Sequence, residues 1–345
     1  MRTHRSLARP RAGLWATVVL AFLVGACGSG NSGEATSDAL GSSTAPDDSS
    51  TSGLSADAQI PEPVQQLDID GAEYTFTVSP DPSSGLRAGW TLVRFHNVGS
   101  EAHQVMFARL KDGVDIAELA AAGGGDSSGA AAIEFVDMIG GVSYIDPERD
   151  TSALVDLSEG TVLAMCYVPN PDGVAHALLG MSTVLAVSPP ASPPTTTSAG
   201  DAPTSGDTGS MPGPELGARD VLGTIELSAD GYRIPDNPAP GWYHVVNTDV
   251  GDNGGGLHEL SLLRLDGPVG PGGIDRVVAD LARNITPTVG LDAVGGMGAI
   301  SAGFDGYLYL DLTPGQYLAV DFMPDPRDPR PHMLDGYYAQ LSVEE

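Results

Sequence analysis

Four side chains in the first half of the sequence have the types and spacing to grip a soft metal ion: His103, Cys166, His176 and Met181. The chain has only two cysteines, and the other, Cys27, stands far away near its start. Two imidazoles, one thiolate and one thioether form the donor set of a mononuclear copper site that cycles one electron. The thiolate bonds covalently, the imidazoles suit either oxidation state, and a long axial thioether favours the reduced ion. The plainer alternative is that Cys166 is a small buried hydrophobe and Met181 a filler of core gaps.

Strands must position these residues. Residues 74–78 alternate apolar and polar, and 90–95, 105–110, 153–157, 161–168 and 182–187 are short β-rich runs bounded by turn residues. His103 follows such a run and the turn Asn97-Val98-Gly99-Ser100-Glu101. Cys166 falls near a strand end, and His176 and Met181 lie on the loop before the last strand. Many short strands with Gly and Pro turns predict an all-β fold of antiparallel sandwiches. One short helix is expected in each half; in the second, Ile274, Val277, Val278 and Leu281 recur at helical spacing.

The halves are copies. A single offset of 155 carries His103 to His258, Arg109-Leu110 to Arg264-Leu265, Gly140-Gly141 to Gly295-Gly296 and Asp156-Leu157 to Asp311-Leu312. Gly89-Trp90 matches Gly241-Trp242 after a small shift. A repeat as long as a domain is a tandem duplication, not a solenoid. The expected organisation is a leader at 1–26, a tether at 27–61, a first domain at 62–188, a Pro/Ser/Thr-rich linker at 189–214 and a second domain at 215–345. Trp90 and Trp242 are expected to be structural.

The second copy tests the first. It keeps His258 and His332, while Asp321 stands for the cysteine and Tyr337 for the methionine. Two histidines and a carboxylate can hold Zn²⁺ or Cu²⁺ weakly; the simpler reading is a degenerate structural copy. Strand alternation puts Ala164 and Cys166 on one face and Leu163, Met165 and Tyr167 on the other. An unpaired carboxylate is costly in a core, so a position that accepts Asp321 is expected to lie outside the deep core. The histidines beyond the leader are His96, His103, His176, His244, His258 and His332, and four of them fall at paired positions of the two copies.

With these residues in place, the first half resembles the cupredoxin family. The family's first ligand histidine, after an Asn-x-Gly turn, matches His103, and its Cys, second His and Met match Cys166, His176 and Met181. The resemblance implies a Greek-key β-sandwich in each copy and one copper ion in the first, used for electron transfer or copper handling. Nine residues separate Cys166 from His176, a longer loop than the simplest members have and closer to that of nitrite-reducing members. Those enzymes hold a second copper partly through a His beside the Cys, whereas Met165 stands here, and the His-x-His pairs of laccase-like members are absent. The resemblance therefore implies no oxygen- or nitrite-reducing centre and no enzyme. Metal-free scaffolding and Cu(I) storage or delivery are the rival expectations.

The remaining composition bounds location and partners. Arg2, Arg5, Arg9 and Arg11 precede an apolar run at 14–24 that ends in Leu23-Val24-Gly25-Ala26-Cys27. The run is too short to span a membrane comfortably, and small residues before a cysteine resemble a bacterial lipobox. Lipidation of Cys27 is expected to hold the protein on the outer face of a cell membrane. The net charge of −29, from 45 acidic against 16 basic residues, excludes nucleic acid as a partner. A redox or copper-handling protein is the partner class expected. No Ser sits in a nucleophile elbow, so a hydrolase is not indicated.

Overall fold

The structure is a computed structural model, and it describes residues 59–123, 130–190, 219–251, 256–283, 287–325 and 328–345. The leader, Cys27, most of the tether and the linker from 191 onward lie outside the described residues. The first repeat runs β1 (Gln65–Ala72), β2 (Thr75–Ser79), β3 (Leu86–Arg87), β4 (Gly89–Asn97), β5 (His103–Leu110), α1 (Ile116–Gly123), α2 (Ala130–Ile133), β6 (Val136–Ile145), β7 (Asp150–Leu157), β8 (Gly160–Met165) and β9 (Ser182–Ser188). The second runs β10 (Val221–Ser228), β11 (Gly231–Arg233), β12 (Gly241–Asn247), β13 (Leu257–Asp266), α3 (Gly273–Ala282), β14 (Gly290–Ser301), β15 (Asp305–Leu310), β16 (Gly315–Val320), β17 (Pro324–Asp325), β18 (Asp328–Pro331) and β19 (Tyr338–Val343).

The all-β sandwich expected from the sequence forms, with two refinements. Helical structure between β5 and β6 is split into α1 and α2, whereas the second repeat has the single α3, its Val277 and Val278 buried at the expected spacing. The sheets are mixed as well: β1 runs parallel to β4, β10 to β12 and β3 to β9. In the first repeat the chain leaves β2 for the edge of the opposite sheet at β3 before returning as β4, which removes one reversal.

Both sheets continue across the two repeats. One has the order β11-β10-β12-β15-β7-β4-β1-β2, the other β19-β16-β13-β14-β6-β5-β8-β9-β3. Each half of a sheet mirrors the other, so the junctions are β7 with β15 and β6 with β14. In the second junction Val142 pairs with Met297, which stands 155 residues later, so the strand meets its own copy at a local two-fold axis. The expected pair of sandwiches is thus joined edge to edge, closing sheet edges that would otherwise invite foreign strands. A single apolar core runs through both, from Leu67, Phe95 and Phe107 to Leu260, Met297 and Tyr317. Complete burial of each such side chain contributes about 2–3 kcal/mol. On the opposite face of the eight-stranded sheet, Trp90 packs on Tyr307 and Trp242 on Tyr309 with ring centroids 5.3 and 5.4 Å apart, bearing out their structural role.

Polar contacts also cross the join. Ser143 and Ser261 are both buried and their hydroxyls lie 2.7 Å apart. Asp146 accepts the Ala293 N–H at 3.0 Å, and burial lifts its carboxyl to about 6 from an ordinary 3.8, Ala293 opposing and Asp292 adding to the rise. With the native value above the unfolded one, the folded chain binds more protons between about pH 4 and pH 6, so stability falls as pH rises through that window. Asp146→Asn keeps an oxygen for Ala293 and removes the titration. Urea unfolding at pH 4.5 and pH 7 is expected to show the variant gaining on the wild type at the higher pH.

Candidate metal centre

The site begins with an asparagine. Asn97 ends β4, where its Nδ2 donates to the carbonyls of Glu101 and Ile145 at 2.8 and 2.9 Å and its Oδ1 accepts the Gly99 N–H at 3.0 Å. These bonds fold residues 98–102 into a tight loop that delivers His103 as the first residue of β5. Asn247 repeats the device, donating to Gly256 and Ile300 and accepting from Asp249.

Pairing of β5 with β8, Met106 opposite Met165, brings Cys166 to the same end of the sheet as His103. The loop after Cys166 is laced back onto it. Ala177 N–H donates to the Cys166 carbonyl at 2.7 Å, Cys166 N–H to the Met181 carbonyl at 3.1 Å, and Met181 N–H to the His176 carbonyl at 2.9 Å. His176 opens a short 3-10 turn, His176–Leu179, closed by Gly180 in the left-handed region at φ +114°.

His103 Nδ1 lies 3.1 Å from His176 Nδ1, which lies 3.4 Å from Cys166 Sγ. All three residues are completely buried. Met181 is buried too and is bonded through its backbone to Cys166 and His176; a Cβ added at Gly71 would come within 3.2 Å of its terminal methyl. The structure therefore brings His103, Cys166 and His176 together and packs Met181 into the same loop.

Carboxylates stand behind both rings. His176 Nε2 lies 3.0 Å from Glu101 Oε2, and His103 Nε2 lies 3.6 Å from Glu73 Oε1. That Glu73 oxygen accepts the N–H groups of Ser100 and Glu101 and the Ser100 hydroxyl, which outweigh burial and hold the carboxyl at about 2. Burial and, less, Glu73 push Glu101 up. Burial and the neighbouring His103 bring His176 down to about 4, burial also lowers His103, and the Cys166 thiol is pushed up to about 12 despite the backbone N–H groups of Gln104 and Val168. Burial thus favours the neutral forms of the thiol and of both imidazoles.

One set of tautomers satisfies these contacts: with His176 Nε2–H donating to Glu101, His103 Nδ1–H can donate across the 3.1 Å gap. His103 Nε2, 3.6 Å from Glu73, makes no hydrogen bond. His103 would meet a metal ion through Nδ1, in the tautomer that carries its proton on Nε2 facing Glu73. Carboxylates on the far nitrogens of two ligand histidines are the usual outer support of a metal site. The separations of 3.1 and 3.4 Å also match the edge of about 3.3 Å that a tetrahedron with arms of about 2.0 Å requires. Residues and donor types fit a copper ion.

The second repeat holds the matching group. His258 Nδ1 and His332 Nδ1 lie 2.8 and 3.0 Å from Asp321 Oδ2. Asp321 is completely buried, which corrects the expectation that its position lies outside the deep core, as Cys166 also shows. The carboxylate is tolerated because both rings and the Met323 N–H, 2.8 Å from Oδ1, surround it. Tyr337 stacks flat on His258, centroids 4.1 Å apart. His96 and His244 belong to neither group and sit beside Asp70 and Asp305.

Glu73, Glu101, Asp249 and Glu259 escaped sequence reasoning. Glu101 carried a signal, an acid two residues before a ligand histidine. Glu73 carried none, because it arrives from the turn between β1 and β2.

No family model and no curated protein matches the chain. Similar solved structures include Lac15 from a marine microbial metagenome (14% identity, 75% of this chain, TM-score 0.23), of whose length the chain spans 63%. They also include reduced auracyanin from Roseiflexus castenholzii (16% identity, 36% of this chain and 97% of that one, TM-score 0.26). Auracyanin A, described as a blue copper protein from Chloroflexus aurantiacus, is 22% identical over 36% of this chain and 99% of its own, with a TM-score of 0.25.

Proposed function

We propose that this chain holds one copper ion between His103, Cys166 and His176, with Met181 as a weaker fourth donor, and passes single electrons outside a membrane to which lipidated Cys27 ties it. The observation that supports this reading is the meeting of one sulfur and two imidazole nitrogens, from residues up to 73 apart in sequence, in one fully buried cluster. Copper in such a donor set supplies a one-electron couple.

The chain's own part is preorganisation. Glu101 fixes the His176 ring, and the bonds between Cys166, His176 and Met181 hold the loop in one shape, so the ligands need move little between oxidation states. Complete burial keeps water off the sulfur and the ring nitrogens. Cys166 must give up its thiol proton on loading, so proton release accompanies binding at neutral pH. Burial of every donor also slows exchange of the ion, which favours electron transfer over delivery.

Adding Cu(II) to the mature chain is expected to give one bound equivalent and an intense visible thiolate-to-copper band. Uptake of Cu(I) with no such band after oxidation would support storage or delivery instead. Neither copper uptake nor colour would reduce the protein to a metal-free binding module.

A further inference from the structure

We propose that His258, Asp321 and His332 form a second, independent site that takes a divalent ion of the Zn²⁺ class. The two rings keep the arrangement of the first site although the sulfur is gone: centroids are 5.0 Å apart at 55°, against 4.9 Å at 59° for His103 and His176. Asp321 presents one oxygen to both Nδ1 atoms at 2.8 and 3.0 Å, its other oxygen being held by the Met323 N–H.

The far nitrogen of His258 lies 3.0 Å from Asp249 Oδ2; with the ring proton held there, Nδ1 is free to face a metal ion beside the Asp321 carboxylate. One divalent ion would satisfy the Asp321 oxygen and both Nδ1 atoms together, with both rings neutral. A further buried carboxyl lies beside the site: Glu259 accepts the Phe322 N–H with one oxygen.

The donor set chooses the ion. Two imidazoles and a carboxylate, with no sulfur, suit Zn²⁺ and give no preference for Cu(I). The stacked ring of Tyr337 occupies the place of Met181, so three protein ligands would hold the ion and leave one position open to solvent. An opening of a few tenths of an ångström would bring the 2.8 and 3.0 Å separations to the tetrahedral edge of about 3.3 Å. His332 provides the entry, its side chain being 16% exposed where Asp321 is wholly buried.

The test uses Zn²⁺ and calorimetric titration of the mature chain carrying Cys166→Ser, which removes the first site's sulfur. One equivalent of Zn²⁺ should bind and raise the unfolding temperature, and adding Asp321→Asn should weaken binding about 100-fold or more. Should Asp321→Asn fail to fold, the part-exposed His332→Ala in the same background should show the same loss. No Zn²⁺ binding in Cys166→Ser, or equal binding after Asp321→Asn or His332→Ala, overturns the proposal. The visible band at the first site is read separately with Cu(II), so either site can fail alone.

Discussion

Cys166→Ser is expected to abolish the visible band of the copper-loaded protein and to weaken Cu(II) binding by about 100-fold or more. A serine hydroxyl stays protonated near neutral pH and offers no covalent sulfur donor, so both the colour and most of the grip go with one atom. The fold should survive. Serine is smaller, and the backbone N–H groups that oppose the rise of the Cys166 thiol, those of Gln104 and Val168, remain to meet its oxygen. Burying the hydroxyl should cost about 1–2 kcal/mol, which a thermal melt separates from unfolding. The second repeat is a natural control: with Asp321 in place of the cysteine, it should contribute nothing to the band even when loaded with Cu(II).

Gly141→Ala is expected to destabilise the protein by on the order of 4 kcal/mol, and Gly296→Ala by at least as much. Gly141 has φ +128°, and a Cβ there would lie 2.2 Å from the Val105 carbonyl oxygen; at Gly296, φ +131°, the clash is with the Leu260 oxygen at 1.9 Å. Neither obstacle is the flexible end of a side chain, so backbone must move. Gly113 separates the two causes. Its φ is +84° but nothing lies within 4 Å, so Gly113→Ala should cost only about 1–2 kcal/mol. The larger figure at Gly141 is therefore mainly steric. Because Val105 sits two residues after His103, where the β5–β6 register shifts, the same variant should also lose copper affinity. Since both sheets and the core run through both repeats, urea unfolding of either variant should remain one transition at a lower midpoint.

The glycine pairs also show what the sequence could and could not reveal. Gly140-Gly141 and Gly295-Gly296 stood out as repeated residues, and the offset of 155 that aligned them located the ligand loops. That His103, Cys166 and His176 would meet was legible because Cys and His are scarce here and the histidines fall at matching positions of the two halves. The join between repeats was not, because hydrophobic alternation records which face of a strand is buried and says nothing about which strand lies at its edge. Val142 against Met297 reads as two ordinary core residues. Asp321 was misjudged for a related reason. The cost of a buried carboxylate was counted, but its partners, His258 and His332, lie 63 and 11 residues away and only the fold shows that both reach it. Glu73 stayed hidden behind His103 in the same way.

Copper-edge X-ray absorption of the mature chain loaded with one equivalent of Cu(II) reads the donor atoms directly. The account expects a shell containing one sulfur and two imidazole nitrogens. A shell of nitrogen and oxygen donors alone, without sulfur, would contradict it.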